Sequence, residues 1–126
     1  MKNDIKKILI VDDEPDITYI IDFVLKKGGF DVEKINDSTL APNSIEENDY
    51  SLMILDLMMP KLDGFSLLKQ IRDTEKGKTL KVLILSSRQL SSEETEMIGS
   101  LNASVMAKPF EPYRLLDKVR EMVTTS

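Results

Sequence analysis

The sequence predicts an α/β fold in which a five-stranded parallel sheet lies between two layers of helices. Three observations predict it: short apolar runs recur along the chain, amphipathic segments separate them, and the two kinds of segment alternate strictly. This alternation is typical of βα units, in which each helix crosses over the sheet so that the next strand runs parallel to the last.

Five apolar runs are predicted to be strands because they are short, rich in Ile, Leu and Val, and bounded by turn residues. Most of them are continuously apolar, which is typical of strands buried on both faces. The second run alternates instead, with Val32 followed by charged Glu33 and Lys34, and therefore fits an edge strand. The runs occupy residues 8–11, 30–35, 52–55, 82–85 and 105–107.

Five helices are predicted after these strands. The first contains Pro15 near its start and ends at Gly28-Gly29, and the third has Asp63 as its N-cap. The second, over residues 38–48, is polar and is interrupted by Pro42. Apolar residues with helical spacing define the other four: Ile17, Ile20, Ile21, Val24 and Leu25; Leu67, Leu68 and Ile71; Met97, Ile98 and Leu101; Leu115, Leu116, Val119, Met122 and Val123.

The strand order predicted from right-handed crossovers is 2-1-3-4-5, a flavodoxin-like three-layer sandwich. In this order strands one and three are neighbours, and the winding of the chain reverses between them. Open α/β sheets bind ligands at the carboxyl ends of the strands beside such a reversal. Asp12 and Asp13 follow strand one and Asp56 ends strand three, so fold and residue chemistry indicate the same place.

Composition excludes several classes of function. The 126 residues carry a net charge of −5 without a basic stripe, which argues against nucleic-acid binding. The absence of cysteine and histidine excludes disulfides, thiolate or imidazole metal sites and histidine-based catalysis. No apolar stretch approaches the roughly 20 residues of a membrane span, and the polar start is not a signal peptide, so we expect a cytoplasmic protein.

The acidic residues at the sheet edge predict a cation site. Carboxylates this close together would raise each other's pKa unless a cation lay between them. Mg²⁺ suits such a site because it prefers oxygen ligands, and Mn²⁺ could replace it. A phosphoryl group arriving at Asp56 would be neutralised by the metal on one side and by Lys108 on the other, while Ser86 donates a hydrogen bond. This combination is typical of phosphoryl transfer to a carboxylate nucleophile.

Each of these residues also has a simpler explanation. Asp12 or Asp13 could cap the first helix, and Asp56 and Ser86 could be ordinary turn residues. A lysine such as Lys108 is usually solvated. The functional hypothesis therefore depends on residues of the required types meeting at one edge of the sheet.

Together these residues resemble the receiver domain of bacterial two-component response regulators. The resemblance implies that Asp56 accepts a phosphoryl group from a sensor histidine kinase or a phosphotransfer protein, and that Ser86 and Lys108 contact that group. It implies that Asp13, Asp56 and the backbone carbonyl of Met58 bind Mg²⁺ with help from Asp12. The residues that carry it are Asp12-Asp13, Asp56 with Pro60 four residues later, Asp63-Gly64, Ser86 and Lys108-Pro109-Phe110.

The resemblance spans almost the whole chain and implies a single receiver domain over residues 1–126, with its core at about 6–123 and no effector domain. Such a domain is a signalling phosphoacceptor rather than an enzyme, and works as a monomer or a weak phosphorylation-dependent dimer. Its output would pass to a downstream effector protein, or to an effector domain missing from this chain, through the fourth helix, fifth strand and fifth helix. It also implies a cis peptide bond between Lys108 and Pro109.

The sequence departs from the family pattern at several positions. Val105 stands where receivers usually carry Tyr or Phe, and the loop over residues 102–104 is one residue shorter than usual. Ser86 replaces the commoner Thr and keeps the hydroxyl. Met58 and Arg88 occupy the two positions that tune phosphate lifetime in the family. Arg88 could contact the phosphoryl group or the attacking water, or could be a solvated loop arginine.

Three other functions stay open. An aspartyl-nucleophile phosphatase or mutase would carry a second Asp two residues after the nucleophile, where this chain has Met58. A nucleotide or flavin binder would have a glycine- or hydroxyl-rich first turn, where this chain has Asp12-Asp13-Glu14. The intact acidic set and Lys108 argue against a degenerate receiver that binds partners without phosphorylation, while Val105 leaves room for it.

Overall fold

The computed structural model describes residues 5–59 and 63–124. Within these ranges strands and helices alternate as predicted, and a short 3₁₀ turn, Ser38–Leu40, precedes the second helix. No helix in this part of the chain is long and apolar enough to cross a membrane. The elements are β1 Lys7–Val11, α1 Pro15–Lys27, β2 Asp31–Ile35, α2 Ala41–Glu47, β3 Leu52–Asp56, α3 Gly64–Arg72, β4 Lys81–Ser86, α4 Ser92–Ser100, β5 Ala103–Ala107 and α5 Pro112–Thr124.

The five strands form one parallel sheet in the order β2-β1-β3-β4-β5, which confirms the predicted fold class. The alternating run lies at one edge of the sheet as β2, also as predicted. Strands β1, β3 and β4 are almost completely buried, whereas β5 forms the opposite, partly exposed edge. The registers place Val11 beside Leu55 and Leu55 beside Ile84, so the carboxyl ends of the inner strands are level.

Apolar side chains form one buried layer on each face of the sheet. Alternate strand residues point to opposite faces, so Leu9 and Val11 contribute to one layer and Ile8 and Ile10 to the other. Residues of α2, α3 and α4 complete the first layer, and residues of α1 and α5 complete the second. This packing is the predicted three-layer arrangement.

Residues at the two ends of α1 explain where this helix begins and ends. Pro15 lies in the first turn, Gly28 is the C-cap, and Gly29 follows with a φ of 94°, a conformation that glycine adopts without strain. The simpler explanation that Asp12 or Asp13 caps this helix is wrong. Glu14 is the N-cap residue and makes no side-chain cap hydrogen bond.

The polar segment over residues 38–48 is helical, as predicted. Pro42 does not break α2 because it lies in the first turn, where its missing N–H would have no partner inside the helix. Residues 38–40 form the 3₁₀ turn instead, and the Asp37 side chain caps it by accepting a hydrogen bond from Thr39 N at 3.1 Å.

The start of α3 lies directly against the chain that follows β3. Asp63 is the N-cap, as predicted, and its side chain accepts a hydrogen bond from Ser66 N at 2.9 Å. A Cβ atom on Gly64 would lie 2.7 Å from the carbonyl oxygen of Asp56, so only glycine fits there. Pro60, part of the resemblance, lies outside the described residues.

The prediction for the start of β5 is wrong by two residues. Ala103 and Ser104 belong to the strand and pair with Val82 and Leu83 of β4, so of the predicted loop only Asn102 lies outside β5. The turn is short because Asn102 adopts a left-handed conformation, with a φ of 56°. Apolar patterning missed this because sheet hydrogen bonds, rather than side chains, define these two residues as strand.

Arg72 joins three separate parts of the chain at the amino-terminal edge of the sheet. Its guanidinium donates hydrogen bonds to the carbonyls of Leu101 (2.8 Å), Asn102 (3.2 Å), Gly77 (2.6 Å) and Leu80 (2.6 Å). Burial lowers its pKa, but the group stays cationic. Arg72 therefore fixes the loop before β4 and the turn before β5 to the end of α3.

We predict that Arg72→Ala lowers the free energy of unfolding by about 3 kcal/mol, because it removes charge-assisted hydrogen bonds from four carbonyls. Urea denaturation followed by circular dichroism measures the change. The matched control is Lys69→Ala on the exposed surface of α3, which should change stability by less than about 0.5 kcal/mol. Equal stabilities of the two variants would contradict the anchoring role of Arg72.

Candidate functional site

The candidate site lies at the carboxyl edge of the sheet, where four strands bring their predicted residues together. Asp12 follows β1, Asp56 and Ser86 are the last residues of β3 and β4, and Lys108 follows β5. Backbone hydrogen bonds extend beyond the strand ends, from Asp12 N to the Ile35 carbonyl (3.1 Å) and from Lys108 N to the Ser86 carbonyl (2.7 Å). The sheet therefore fixes the positions from which these side chains start.

Three carboxylates converge at this edge. One oxygen each from Asp12, Asp13 and Asp56 lies within 4.8 Å of the other two. Asp12 and Asp56 are 1% and 4% exposed, whereas Asp13 remains accessible to solvent. Clustered carboxylate oxygens are the ligands that hard divalent cations prefer, so this donor set fits Mg²⁺ or Mn²⁺.

The two buried carboxyl groups are costly to ionise. Burial raises the pKa of Asp12, and the hydrogen bond from Glu14 N to its Oδ1 (3.0 Å) and the nearby Lys108 only partly oppose this. Burial also raises the pKa of Asp56, and the negative charge of Asp12 raises it further. A bound cation would relieve both effects, because it stabilises the ionised carboxylates.

Lys108 points into the acidic cluster. Its Nζ atom lies 3.1 Å from Asp12 Oδ2 and 3.5 Å from both Asp56 Oδ1 and Glu14 Oε1. Burial lowers its pKa, but the hydrogen bond to Asp12 and the three negative charges outweigh burial, so the pKa is raised. The simpler explanation of a solvated lysine is wrong, since the side chain is only 11% exposed. The Lys108–Pro109 peptide bond is cis, as the resemblance implies.

The hydroxyl of Ser86 is held by the loop that follows β4. Its Oγ donates a hydrogen bond to the Arg88 carbonyl at 2.8 Å and lies 3.4 Å from Arg88 N, which donates to it. Ser86 therefore lies at the predicted edge of the sheet, but its hydroxyl donates its one proton to the Arg88 carbonyl and not to a group in the acidic cluster.

The other three predicted positions differ in their relation to the acidic cluster. Met58 is next to it, because its N–H donates to Asp56 Oδ1 at 3.4 Å while its side chain is about half exposed. Arg88 is engaged elsewhere, in a two-pronged ion pair with Glu94 of α4 at 2.9 and 2.6 Å. Val105 lies on β5 with its side chain 40% exposed.

Sequence reasoning assigned no role to three residues that contact the site or its loops. Glu14 contacts Lys108, and Asn36 donates a hydrogen bond from its side chain to the Asp12 carbonyl at 2.7 Å. Glu94 binds Arg88 and forms a capping box with Ser91. Glu14 continues the acidic run after β1, and the Ser-x-x-Glu spacing before α4 is typical of a capping box, so both had a sequence signal. For Asn36 the only signal in the sequence was its position directly after β2.

Comparison with known proteins relates the chain to one family. A family described as "Response regulator receiver domain" matches residues 8–120. Response regulator GtcR of Aneurinibacillus migulanus is 33% identical over 115 residues, which cover 91% of this chain and 46% of GtcR. Regulatory protein VanRc of Enterococcus gallinarum is 35% identical over 118 residues, which cover 91% of this chain and 48% of VanRc. The chain spans about half the length of the curated relatives it matches.

Solved structures with the same fold include chemotaxis protein CheY4 of Vibrio cholerae, with a TM-score of 0.87 and 27% identity over 94% of this chain and 99% of that one. The receiver domain of sensor histidine kinase PA1611 from Pseudomonas aeruginosa has a TM-score of 0.85 and 26% identity, over 97% and 100% of the two chains. That domain is described with a magnesium ion coordinated in its active site cleft.

We predict that Asp56→Asn raises the midpoint of thermal unfolding at pH 7 in buffer without divalent cations. A raised pKa means that the folded state binds the proton more tightly, so ionisation of Asp56 lowers stability as pH rises from its ordinary value of 3.8 through its folded pKa. Removing the charge should raise the midpoint by a few degrees, at about 4 °C per 1 kcal/mol. The gain should vanish as pH falls toward 3.8, and calorimetry measures both effects.

The control for this prediction is Asp117→Asn, which removes the same charge from an exposed position in α5. It should leave the midpoint within about 1 °C of the parent at pH 7. A midpoint for Asp56→Asn at or below that of the parent would show that ionised Asp56, buried and close to Asp12, does not lower the stability of the fold.

Proposed function

The chain belongs to the response regulator receiver domain family, and from this membership we propose that it is the phosphoacceptor of a two-component phosphorelay. Asp56 accepts the phosphoryl group from a phosphohistidine of a sensor histidine kinase or a phosphotransfer protein. The observation that carries the proposal is the buried Asp56 carboxylate, which lies 3.5 Å from the Lys108 ammonium and beside the carboxylates of Asp12 and Asp13.

The reaction is an in-line displacement at phosphorus. An Asp56 oxygen forms the new P–O bond while the P–N bond to the donor imidazole breaks, and the imidazole nitrogen keeps the bonding electron pair. Negative charge on the transferred group is spread over its three equatorial oxygens, so the protein acts mainly by positioning and by electrostatic stabilisation. Lys108 supplies a positive charge on one side, and Ser86 donates its hydroxyl hydrogen bond once it leaves the Arg88 carbonyl.

Asp12, Asp13, Asp56 and the backbone carbonyl of Met58 would hold Mg²⁺, and the same oxygens would accept Mn²⁺. The bound ion supplies the positive charge that makes the approach of a phosphoryl group to an acidic cluster favourable. Three clustered carboxylate oxygens and the raised pKa values of Asp12 and Asp56 support this assignment. Asp13, the most accessible of the three acids, leaves the cluster open to solvent on its side.

Met58, Arg88 and Val105 adjust the response rather than perform the transfer. The half-exposed side chain of Met58 borders the phosphoryl position and limits the approach of water, which sets phosphate lifetime. Arg88 acts on the loop after β4 through its contacts to Ser86 and Glu94. Val105, exposed on β5, takes the position at which other receivers place an aromatic switch residue.

The donor approaches over an apolar groove beside Lys108. The groove has a volume of about 340 Å³ and lies between α1 and the loop that joins β5 to α5. A donor protein whose phosphohistidine reaches Asp56 would cover this groove, which gives the transfer its specificity. The lining includes Ile17, Ile20, Pro109, Phe110 and Pro112.

Output passes from the face formed by α4, β5 and α5 to an effector protein or to an effector domain. Receiver domains are signalling modules rather than an enzyme family, so each phosphorylation is an event in a signal and not a turnover. The acidic chain, with its net charge of −5, is not suited to contact nucleic acid itself.

We predict that the parent protein gains one phosphoryl group when it is incubated with acetyl phosphate and Mg²⁺, and that Asp56→Asn gains none. Intact-mass spectrometry at neutral pH measures the adduct as the added mass of one phosphoryl group. Asp117→Asn is the control and should be modified like the parent. Modification of Asp56→Asn at the parental level would rule out Asp56 as the acceptor, and no modification of the parent would contradict phosphorylation by this donor. Hydrolysis of many phosphoesters at high turnover would favour the phosphatase alternative.

We also predict that Mg²⁺ stabilises the parent and that Asp13→Asn loses most of this effect. A ligand that binds only the folded state adds about 1.4 kcal/mol to the free energy of unfolding at ten times its dissociation constant. Urea denaturation at increasing Mg²⁺ concentration measures the gain, and Asp117→Asn should respond like the parent. A parent whose stability does not respond to Mg²⁺ would refute the metal site.

A further inference from the structure

Arg88 is held from both ends, by the site and by α4. Its backbone accepts a hydrogen bond from Ser86 Oγ at 2.8 Å, so it is tied to the last residue of β4. Its guanidinium forms two parallel hydrogen bonds to the carboxylate of Glu94, at 2.9 and 2.6 Å. Bidentate pairs of this kind have a fixed geometry, unlike most surface ion pairs.

Glu94 is itself fixed within the first turn of α4. Its Oε1 atom accepts a hydrogen bond from Ser91 N at 2.9 Å, and its own N–H donates to Ser91 Oγ at 3.1 Å, which completes a capping box. The Arg88 guanidinium and the Ser91 N–H lower the pKa of Glu94 to about 2, so it is ionised at neutral pH. Arg88 therefore links Ser86 to the start of α4, through its backbone carbonyl at one end and its guanidinium at the other.

We propose that Glu94 is a positioning residue for phosphoryl binding, which acts through Arg88 to keep the Ser86 hydroxyl on the loop in the unphosphorylated protein. The Ser86 hydroxyl has one proton, and that proton is given to the Arg88 carbonyl. It cannot be donated to a phosphoryl oxygen on Asp56 until the hydrogen bond to Arg88 breaks. The ion pair with Glu94 holds Arg88 in the position where this hydrogen bond forms. It therefore opposes the movement of the Ser86 hydroxyl toward the phosphoryl group.

This inference rests on the proposed function and adds a route by which phosphorylation reaches α4. Release of Ser86 removes one of the contacts that fix Arg88, and the guanidinium can then pull on, or separate from, Glu94 in the first turn of the helix. Val105 is aliphatic and 40% exposed. It has no aromatic ring whose burial could transmit the change at Asp56 along β5. The Ser86–Arg88–Glu94 set provides a route that does not need such a ring.

The test measures the affinity of beryllofluoride, a phosphoryl analogue, at saturating Mg²⁺ by titration calorimetry. Glu94→Gln keeps a residue suited to the capping box but removes the charge that holds Arg88. We expect beryllofluoride to bind Glu94→Gln about two- to fivefold more tightly than the parent, as suits the loss of one exposed ion pair. Glu93→Gln is the matched control, because it removes the same charge from the same exposed helical turn, and it should bind like the parent.

Further variants separate positioning from a general effect on stability. In a Ser86→Ala background the substitution Glu94→Gln should no longer change affinity, since the hydroxyl that it positions is absent. Arg88→Ala should tighten beryllofluoride binding as Glu94→Gln does. The double variant of Arg88→Ala and Glu94→Gln should bind beryllofluoride no more tightly than either single variant. In 1 M salt the difference between the parent and Glu94→Gln should disappear, because the pair is exposed and is screened.

Equal affinities of Glu94→Gln, Glu93→Gln and the parent would overturn the inference, as would an undiminished effect of Glu94→Gln in the Ser86→Ala background. Tighter binding by Glu94→Gln with weaker binding by Arg88→Ala would also overturn it, because Arg88 would then contact the phosphoryl group directly. Failure of the proposed function has a different result: the parent itself, and not only the variants, would not bind beryllofluoride.

Discussion

The Lys108 ammonium among the carboxylates of Asp12, Asp56 and Glu14 is the interaction on which the candidate site depends. Two buried acids a few ångströms apart repel each other, and burial makes each of them harder to ionise. One lysine offsets part of this cost and leaves the site with more negative than positive charge. The site therefore keeps an excess of negative charge, which a divalent cation between the carboxylates would offset.

The fold allows this cost because it concentrates stability elsewhere. Strands β1, β3 and β4 are buried on both faces, and helices on each side contribute one continuous apolar layer. Arg72 secures the opposite edge of the sheet with four hydrogen bonds to carbonyls. Destabilising charge at the carboxyl edge can then persist, as it does at many functional sites.

The loop after β4 links the acidic cluster to the exposed start of α4. Ser86 and Arg88 share a hydrogen bond, Arg88 is paired with Glu94, and Glu94 begins α4. A change at Asp56 that draws the Ser86 hydroxyl inward must break the first of these contacts. Strand β5, next to α4 in the chain, lies at the edge of the sheet and is partly exposed.

Apolar periodicity and chain direction are sufficient to predict the fold class, the strand order and the edge of the sheet at which the site residues meet, because they depend only on local pattern and on parallel crossovers. These residues are Asp12, Asp13, Asp56, Ser86 and Lys108. The sequence also identified the cap at Asp63 and the stop at Gly28-Gly29, which are local hydrogen-bonding preferences. It placed the start of β5 two residues late, since pairing with β4 rather than apolar character makes Ala103 and Ser104 part of the strand.

The partners of the polar side chains depend on tertiary packing and could not be predicted from the sequence. Arg88 had two open roles in the sequence, and its choice of Glu94 depends on how the loop after β4 folds against α4. The hydroxyl of Ser86 is bound to that loop, and Asn36, which follows β2, donates a hydrogen bond to the Asp12 carbonyl. A long polar side chain has several partners within reach, and their relative positions are set by packing between elements far apart in sequence.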